Sequence, residues 1–428
     1  MLGTKIAAAV IAVSVGVAGM MGIAPAQKPD AGPEPTDQKS GYLAAAFDGE
    51  YFYAAGTGGR LERISDDGRV EALDVPVKED ILCLLAGEDG TLLAGTEGGN
   101  ALLYQDGEMT SCFTGVAAPI YGLAEFQGRY YAAMGGGYIL SSERGNAWQA
   151  SQRFSEEAIC GIASTPSMVL AITAQGDLIQ SSDGRKWETS NFNETYEGYY
   201  DPLIFRSIRS LGSSVFLAAQ YRDELGEPFV ASTQDGKLWL QKPLSKISGD
   251  IEEGPLDLYI NAIGANLDQI LAVCNGGDLL TITECSTCNT MNHVMEGDIY
   301  DLAFDGENLL VVGEDYEFAL LDQSVYRQYQ ISPEQTQQDI RSGVLAVDVR
   351  TPEEYAGGHI PGAVNIPLDQ LEKQLPQYAP DQNAEVIFYC GTGGRAQQAL
   401  EKALAMGYQL VYTMGGIQDW PYELEPAA

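Results

Sequence analysis

Basic side chains are scarce in this sequence. The 428 residues include 24 Lys and Arg against 60 Asp and Glu, which gives a formal net charge of −36. Such a composition argues against nucleic acid as a partner, because binding to phosphates requires clustered Lys and Arg. The acidic surplus is typical of a soluble surface. The length is sufficient for two or three domains with sizeable cores.

Long apolar runs are also missing after the first 26 residues. The single long run, Ile6–Ile23, would form a helix of about 27 Å, close to the thickness of a bilayer core. Lys5 precedes the run and the sequence APA follows it, so residues 1–26 predict a signal peptide or a membrane anchor with the remainder outside the cytoplasm. We favour the anchor. No cysteine ends the run, which argues against a lipoprotein, and residues 27–40 are a Pro-rich, charged linker.

The middle of the chain repeats with a period of about 40 residues. Each unit contains short apolar strands separated by turns, as in GIASTPSMVLAITAQGDLIQSSDGRKWETS. An Ala-Gly pair or its equivalent ends the second strand at Gly56, Gly95, Gly135, Ala174, Ala219, Cys274 and Gly313. One four-stranded unit cannot bury both of its faces, whereas a closed ring of seven can. The repeat therefore predicts an all-β, seven-bladed propeller over residues 41–330.

Three units share a turn sequence, which reads SSERGNAW, SSDGRKW and STQDGKLW. It resembles the Asp-box of bacterial neuraminidase-repeat propellers, in which a Ser and an acid cap the hairpin between the third and fourth strands and a Trp packs beneath. The resemblance implies a structural role. A sialidase would need arginines from several blades around the channel, and the first strands supply only Arg206 and Arg209, both from one blade. The sequence therefore argues against a glycosidase.

The first strands of the seven units can be aligned with one another. The alignment gives one corresponding position to Tyr42, Cys83, Tyr121, Cys160, Arg206, Asn261 and Tyr300. We expect these residues to pack between blades. The alternative is that they line or approach the central channel.

Residues 331–428 have a different pattern, in which helices alternate with short apolar strands. VLAVDV and EVIFYC predict buried parallel strands, and QQALEKALAMG predicts a helix that a glycine ends. The pattern is that of a compact α/β domain. The whole chain is therefore expected to be multidomain, with an all-β propeller and a C-terminal α/β domain.

Cys390 follows the second of these strands, at the edge where open α/β sheets bind ligands. Gly391, Gly393 and Gly394 allow the backbone to curl with its N–H groups inward. The start of the next helix and the cation of Arg395 also favour an anion there. We therefore expect Cys390 to be a nucleophile with a pKa below that of an ordinary thiol.

Residues of about 332–425 closely resemble the rhodanese family of sulfurtransferases. DVRTPEEYAGGHIPGAVNIP and GGIQDW are similar to two signatures of that family. Cys390, Gly393 and Arg395 fit its Cys-x-x-Gly-x-Arg loop, although Ala396 stands where the family often has Ser. Related phosphatases of the cell-cycle type have a loop one residue longer, so the resemblance favours sulfur over phosphate.

The resemblance implies a thiosulfate sulfurtransferase-like enzyme that needs no metal or organic cofactor. Cys390 would take the outer sulfur of a small sulfane-sulfur donor as a persulfide, and a thiol or other nucleophilic acceptor would then remove it. The substrate-binding residues that it implies are Gly391, Thr392, Gly393, Gly394 and Arg395. Asp348 and Arg350 are expected to fix the loop, and His359 to cap local structure.

Two further cysteines, Cys285 and Cys288, stand where the sixth unit would have its Asp-box turn. Such a pair can be a redox couple, half of a metal site or a structural disulfide. Redox pairs usually begin a helix, whereas this pair lies in a β-hairpin, and no second pair has zinc-ligand spacing. Outside the cytoplasm we expect a local disulfide, with sulfur relay to Cys390 as the alternative.

Two hypotheses for function follow. The first is an extracytoplasmic sulfurtransferase, tethered by its N-terminal segment or secreted, whose propeller binds a protein partner or ligand. The loops NETYEGYYDPLIF and YRDELGEPF are the expected partner surface. The alternative is a non-enzymatic binding platform whose rhodanese domain is a persulfide or redox sensor or a docking module.

Overall fold

The computed structural model describes residues 40–87, 90–199, 201–222, 228–242, 247–248, 259–266, 269–282, 289–327 and 329–426. Residues 1–26, almost all of the linker, Cys285 and Cys288, and parts of both expected partner loops lie outside these ranges, so the predictions for them stay predictions. The described chain separates into two compact units, which divide between Tyr326 and Arg327 except that Asn289 is grouped with the second unit. None of the described helices is long and apolar enough to span a membrane.

Seven sheets form the first unit, and each is one blade of a β-propeller. Blades 1 to 4 comprise β1 (Tyr42–Phe47), β2 (Phe52–Gly56), β3 (Leu61–Ile64) and β4 (Val70–Ala72); β5 (Ile81–Ala86), β6 (Leu92–Thr96), β7 (Asn100–Gln105) and β8 (Glu108–Phe113); β9 (Ile120–Phe126), β10 (Arg129–Met134), β11 (Tyr138–Ser142) and β12 (Gln149–Arg153); and β13 (Ile159–Ser164), β14 (Val169–Thr173), β15 (Asp177–Ser181) and β16 (Glu188–Asn191). In each of these blades the strands pair in chain order.

The last three blades differ from one another in strand number. They comprise β17 (Leu203–Leu211), β18 (Ser214–Tyr221), β19 (Pro228–Thr233) and β20 (Leu240–Lys242); β21 (Ile247–Ser248), β22 (Ile260–Asn266), β23 (Gln269–Cys274), β24 (Asp278–Ile282) and β25 (Asn289–His293); and β26 (Ile299–Phe304), β27 (Asn308–Gly313) and β28 (Phe318–Asp322). The helical segments of this unit are α1 (Phe192–Thr195), α2 (Gln323–Tyr326) and the 3-10 turns Thr57–Gly59 and Asn275–Gly277. The prediction of a seven-bladed propeller is confirmed, but the sixth blade has a fifth strand and the described part of the seventh has three.

The ring closes by packing between blades 1 and 7. Within the described ranges, blade 1 contains only β1 to β4, so no strand is exchanged between the two ends of the propeller. Gly41 instead forms an isolated antiparallel bridge with Glu314. The N–H group of Asp315 donates to the carbonyl oxygen of Ser40 at 2.8 Å. Closure therefore rests on a few backbone contacts and on the side chains between the blades.

The first strands of neighbouring blades contact one another around the whole ring, so they surround its axis. Each contains a β-bulge, which leaves one residue out of the ladder. The seven bulged residues are Leu43, Leu82, Tyr121, Cys160, Arg206, Asn261 and Tyr300.

The sequence alignment is right for five of these positions and wrong for two, because it put Tyr42 and Cys83 where the structure has Leu43 and Leu82. A bulge depends on how a strand pairs, and matching by side-chain type shifted the alignment by one residue in both blades. Cys83 is buried between blades, and its Sγ donates to the carbonyl oxygen of Ile120 in the next blade at 3.3 Å.

One buried ion pair links four blades near the axis. Arg209 of β17 pairs with Asp301 of β26, and its Nε donates to the carbonyl oxygen of Ile263 in β22 at 3.1 Å. Asp301 is completely buried and also accepts from the N–H group of Ala45 in β1 at 2.9 Å. Burial raises the pKa of Asp301, against the opposing effect of the Arg209 charge. The pair thus connects both ends of the ring.

The three turns with the shared sequence have similar hydrogen bonds. The Oδ1 atoms of Asp183 and Asp235 each accept from two backbone N–H groups at 2.8 Å, which lowers the pKa of both carboxyls. In blade 3 the Oγ of Ser142 accepts from the N–H group of Gly145 at 2.9 Å, and Trp148 Nε1 donates to the Gly145 carbonyl oxygen at 3.0 Å. These contacts give the turns a role in hairpin geometry, and the likeness to the Asp-box stays a resemblance.

The second unit contains one parallel sheet of order β30-β29-β31-β32. Its elements are α3 (Pro333–Ser342), β29 (Leu345–Asp348), α4 (Pro352–Ala356), β30 (Val364–Asn365), α5 (Leu371–Tyr378), β31 (Val386–Cys390), α6 (Gly394–Ala405), β32 (Val411–Gly416) and the 3-10 turns Leu368–Gln370 and Ile417–Asp419. The α/β class predicted for this part of the chain is confirmed.

The central strand β31 is buried on both faces. Phe388 and Cys390 pack with residues of α5 and α6, whereas Ile387 and Tyr389 pack on the opposite face with Trp420 and other apolar side chains. Burial on both sides explains the uninterrupted apolar run that precedes Cys390 in the sequence. The strand therefore holds Cys390 firmly at its carboxyl end.

Candidate active site

Cys390 is the last residue of β31, and a three-residue turn connects it to α6. Gly393 has a φ of +96°, a conformation that L side chains rarely adopt, and its N–H group donates to Cys390 Sγ at 3.1 Å. Of the three loop glycines, Gly393 has the positive φ, whereas Gly391 and Gly394 do not. Helix α6 begins at Gly394, earlier than the sequence suggested, so its positive end lies directly after the turn.

The Cys390 side chain lies at the base of the loop. The residue is only 1% exposed, whereas Thr392 and Gly394 are exposed and Gly391 is half-buried. The Cys390 side chain is therefore almost inaccessible to solvent, although it adjoins exposed loop residues. A reactant must therefore present a narrow terminal atom to reach Sγ.

Arg395, in the first turn of α6, is held by Glu354. Its two Nη atoms donate to the two carboxylate oxygens of Glu354 at 2.7 and 2.8 Å. This bidentate pair lowers the pKa of Glu354 to about 2 and raises that of Arg395. Attraction to the Cys390 sulfur also contributes to the raised pKa of Arg395, so the guanidinium is close enough to the thiol to interact with it electrostatically.

Glu354 is itself fixed by the start of α4. Its side chain accepts from the N–H group of Thr351 at 3.0 Å while the Thr351 hydroxyl accepts from the Glu354 N–H group at 3.3 Å, which is a capping box. Glu354 lies within the segment DVRTPEEYAGGHIPGAVNIP, whose sequence indicates no role for it in the site. The local sequence TPEE indicated the cap, and only the fold brings the carboxylate to Arg395.

Asp348 and Arg350 form a buried hydrogen-bonded pair. Arg350 Nη2 donates to Asp348 Oδ2 at 2.6 Å and to the carbonyl oxygen of Gly358 at 2.7 Å. The Asn365 side-chain amide donates to the carbonyl oxygens of both residues at 2.9 Å. The pair thus orders the segment from β29 to β30, and these hydrogen-bond partners lie outside the Cys390 loop.

His359 is buried and stacks on Tyr355, with ring centroids 3.7 Å apart. Its Nδ1 lies 3.2 Å from the Tyr355 carbonyl oxygen, and its Nε2 lies 3.5 Å from the Glu425 carboxylate. These partners place His359 in local structure and not among the residues around Cys390.

A second feature that the sequence analysis did not assign is the close approach of Gly416 to the loop. A Cβ on Gly416 would lie 2.8 Å from the carbonyl oxygen of Gly391 and 2.9 Å from Thr392 Cα. The φ of Gly416 is −107°, which any residue can adopt, so packing alone requires glycine here. The end of β32 is therefore one wall of the loop.

The loop geometry can stabilise an anionic sulfur at Cys390 through one amide, a helix end and a nearby guanidinium. Among the described residues, no group of three or more His, Cys, Asp or Glu side chains is arranged to hold a metal ion.

Residues 332–422 match the family model of the rhodanese-like domain. The chain is 41% identical over 73 residues to the thiosulfate sulfurtransferase PspE of Escherichia coli, which is 17% of this chain and 70% of that protein. The chain belongs to the rhodanese family. It is also 39% identical over 89 residues to the thiosulfate:glutathione sulfurtransferase of Saccharomyces cerevisiae, covering 18% of this chain and 64% of that protein.

The similarity to these sulfurtransferases is confined to the rhodanese domain. Over the propeller, the chain is similar in fold to a structure of YCF48 bound to a D1 peptide, with a TM-score of 0.51 and 13% identity over 67% of this chain and 92% of that one. At this identity the likeness concerns the fold alone. The rhodanese assignment made from the sequence is therefore confirmed, as is the propeller architecture.

Proposed function

We propose that the rhodanese domain transfers sulfane sulfur from a small anionic donor such as thiosulfate. The Cys390 thiolate attacks the outer sulfur of the donor, the S–S bond of thiosulfate breaks, and sulfite leaves with the bonding electron pair. The product is a Cys390 persulfide. A thiol or another nucleophile then attacks the outer sulfur and restores the Cys390 thiolate, so no oxidant or reductant is needed.

The observation that carries this proposal is the convergence of three groups on Cys390 Sγ. The Gly393 N–H group lies 3.1 Å away, the positive end of α6 follows at Gly394, and Arg395 lies beside the thiol. Each favours a negative charge on sulfur, in the thiolate and in the persulfide. The depressed pKa that the sequence predicts for Cys390 stays a prediction.

Mass spectrometry of the intact chain after thiosulfate treatment tests the proposal. We expect a gain of one sulfur atom on the peptide that contains Cys390, removable by cyanide with formation of thiocyanate. Cys390→Ser should abolish both, because an alcohol is a far poorer nucleophile at neutral pH. Cys112→Ser, at a partly exposed thiol of the propeller, is the matched control and should retain both. If wild-type protein gains no sulfur from several donors, the domain is a docking module that has kept its loop.

We further propose that the protein works outside the cytoplasm, tethered by residues 1–26, with the propeller serving as a platform for a protein partner or ligand. The apolar run Ile6–Ile23 and its flanks support this location. Membrane fractionation should retain the protein until detergent is added, and a soluble form that begins at Gln27 would contradict the tether.

Peptide mapping under non-reducing conditions should show Cys285 joined to Cys288.

A further inference from the structure

One end of the propeller axis is surrounded by the bulged residues of the seven first strands, and we refer to it as the channel mouth. Tyr121, Cys160 and Arg206 belong to consecutive blades, and Cys160 interacts electrostatically with the residue on each side. Burial raises the pKa of the Cys160 thiol to about 12, against the opposing effect of Arg206, so Cys160 is not a nucleophile at neutral pH.

Arg206 is a largely buried cation that has no anionic partner among the described residues. Its Nε donates to the neutral Gln220 side chain at 2.9 Å, and its guanidinium lies 5.5 Å from the centroid of the Tyr259 ring. No carboxylate of the described residues forms an ion pair with it, in contrast to Arg209 three residues later, which pairs with Asp301. Burial lowers the pKa of Arg206, as expected when no counter-ion compensates the lost hydration.

The free-energy cost of burying the Arg206 charge without a counter-ion is an argument that this site binds an anion. Removing an isolated charge from water is expensive, and proteins usually compensate by pairing it. The chain carries a net charge of −36, so acidic residues are abundant, yet none of those described approaches the guanidinium. The two Nη groups thus have hydrogen-bonding capacity that the described protein does not use.

Two other bulged residues at the channel mouth carry hydrogen-bond donors. The Tyr121 and Tyr300 hydroxyls make no hydrogen bond within the described chain, and burial raises the pKa of both, that of Tyr300 to about 12. Both phenols therefore stay protonated at neutral pH. Carboxylates also lie within electrostatic reach of the two phenols, Glu97 for Tyr121 and Asp298, Glu314 and Asp315 for Tyr300. The channel mouth therefore offers one cation and neutral donors to a single negative charge, and the surrounding acids would repel a second one.

We propose that the channel mouth binds a carboxylate, with Arg206 as its bidentate anchor. The planar guanidinium matches the two oxygens of a carboxylate. A monoanion fits better than a sulfate or phosphate dianion, because the site holds one cation within a strongly acidic chain. The carboxylate belongs to a free organic acid or to the C-terminus of a peptide. This site is separate from Cys390, and the proposal does not depend on sulfur transfer.

Binding to the full-length protein can be measured by ligand-observed NMR. The probes are acetate and a short alanine peptide with a free carboxyl terminus, and the amidated peptide is the negative control. We expect saturable binding of at least one carboxylate and none of the amidated peptide. A peptide that binds about tenfold more tightly than acetate would identify a chain terminus as the source, and equal affinities would identify a free acid.

The matched variants are Arg206→Met and Arg69→Met, the latter at an arginine whose side chain is 86% exposed. We expect Arg206→Met to weaken binding at least tenfold, since charge-assisted hydrogen bonds are lost, and Arg69→Met to bind as the wild type does. If Arg206→Met does not fold, Arg206→Lys and Tyr121→Phe should weaken binding in the same direction. The proposal is overturned if wild type binds neither carboxylate, or if the Arg206 variants that fold bind with wild-type affinity.

Discussion

Removal of the Asp301 carboxylate tests how the propeller is closed. In Asp301→Ala, the Arg209 guanidinium would remain between blades 5 and 7 without its counter-ion, and the N–H group of Ala45 would lose its acceptor. Breaking one partner of a buried pair typically costs 3–5 kcal/mol, because the remaining charge is uncompensated. We expect a loss of this order in the free energy of unfolding of the propeller.

This loss corresponds to a measurable shift in melting temperature. The unfolding entropy is about 2.1 cal/mol/K per residue near 60 °C, so a unit of roughly 290 residues has about 0.6 kcal/mol/K. A loss of 3–5 kcal/mol would therefore lower the melting temperature by about 5–8 °C. Differential scanning calorimetry of the full chain is suitable, and thiocyanate formation by the same sample reports whether the rhodanese domain is intact.

Two further variants separate charge from packing. Glu188→Ala removes one partner of the exposed Lys237–Glu188 pair, whose charged atoms lie 3.8 Å apart and whose side chains are 69% and 74% exposed. This change should alter the melting temperature by less than about 1 °C. The double variant Arg209→Met, Asp301→Leu removes both charges of this pair and should recover most of the lost free energy of unfolding. If Asp301→Ala melts no lower than Glu188→Ala, the pair does not hold the ring closed and our reasoning is wrong.

Two predictions concern the rhodanese loop. Gly416→Ala should reduce sulfur transfer about tenfold or more in the thiocyanate assay, because the added Cβ would press on the loop backbone. Gly357→Ala is the control and should retain wild-type activity, because its Cβ would meet nothing closer than 3.4 Å. Equal sulfur-transfer activities of Gly416→Ala and Gly357→Ala would mean that the Cys390 loop can shift without losing function, which would contradict this prediction. Glu354→Gln should lower kcat about three- to tenfold, since Arg395 would lose its bidentate partner. Because the pKa of Glu354 is lowered to about 2, its stabilising effect is present above its ordinary pKa and lost as pH falls towards 2. The pH–rate profiles of both proteins should thus have the same shape between pH 5 and 9, and a difference in shape would contradict the pairing.

The propeller could be predicted from the sequence because each blade repeats the same local pattern of strands and turns. The positions of the bulges could not, because a bulge is a property of two paired strands. Leu43 and Leu82 have no side-chain feature in common with Arg206 or Tyr300, although all four occupy corresponding places. The irregular strand numbers of blades 6 and 7 were missed for the same reason, since strand pairing and not composition decides them.

The Cys390 loop could be predicted because its determinants are local. A buried strand, a glycine at positive φ and a helix follow one another within a few residues, and each leaves a trace in the sequence. The partner of Arg395 left no such trace, because Glu354 is 41 residues away and its local pattern indicates only a helix cap. Gly416 was missed because its requirement for glycine comes from the approach of another segment.

The Glu354–Arg395 ion pair and the close approach of Gly416 to the loop support different parts of the site. The Glu354 Oε2 atom accepts from both the Thr351 N–H group and Arg395 Nη1, so the start of α4 fixes the guanidinium before any donor arrives. The same carboxylate offsets much of the guanidinium charge at distances of 2.7 and 2.8 Å. Arg395 is therefore better suited to orienting a donor than to attracting it. No acidic residue stands in the first turn of α6, so the Gly393 amide and the helix end have no such counter-charge there, and they depend on the loop shape that Gly416 permits. For this reason Gly416→Ala is expected to reduce sulfur transfer more than Glu354→Gln does.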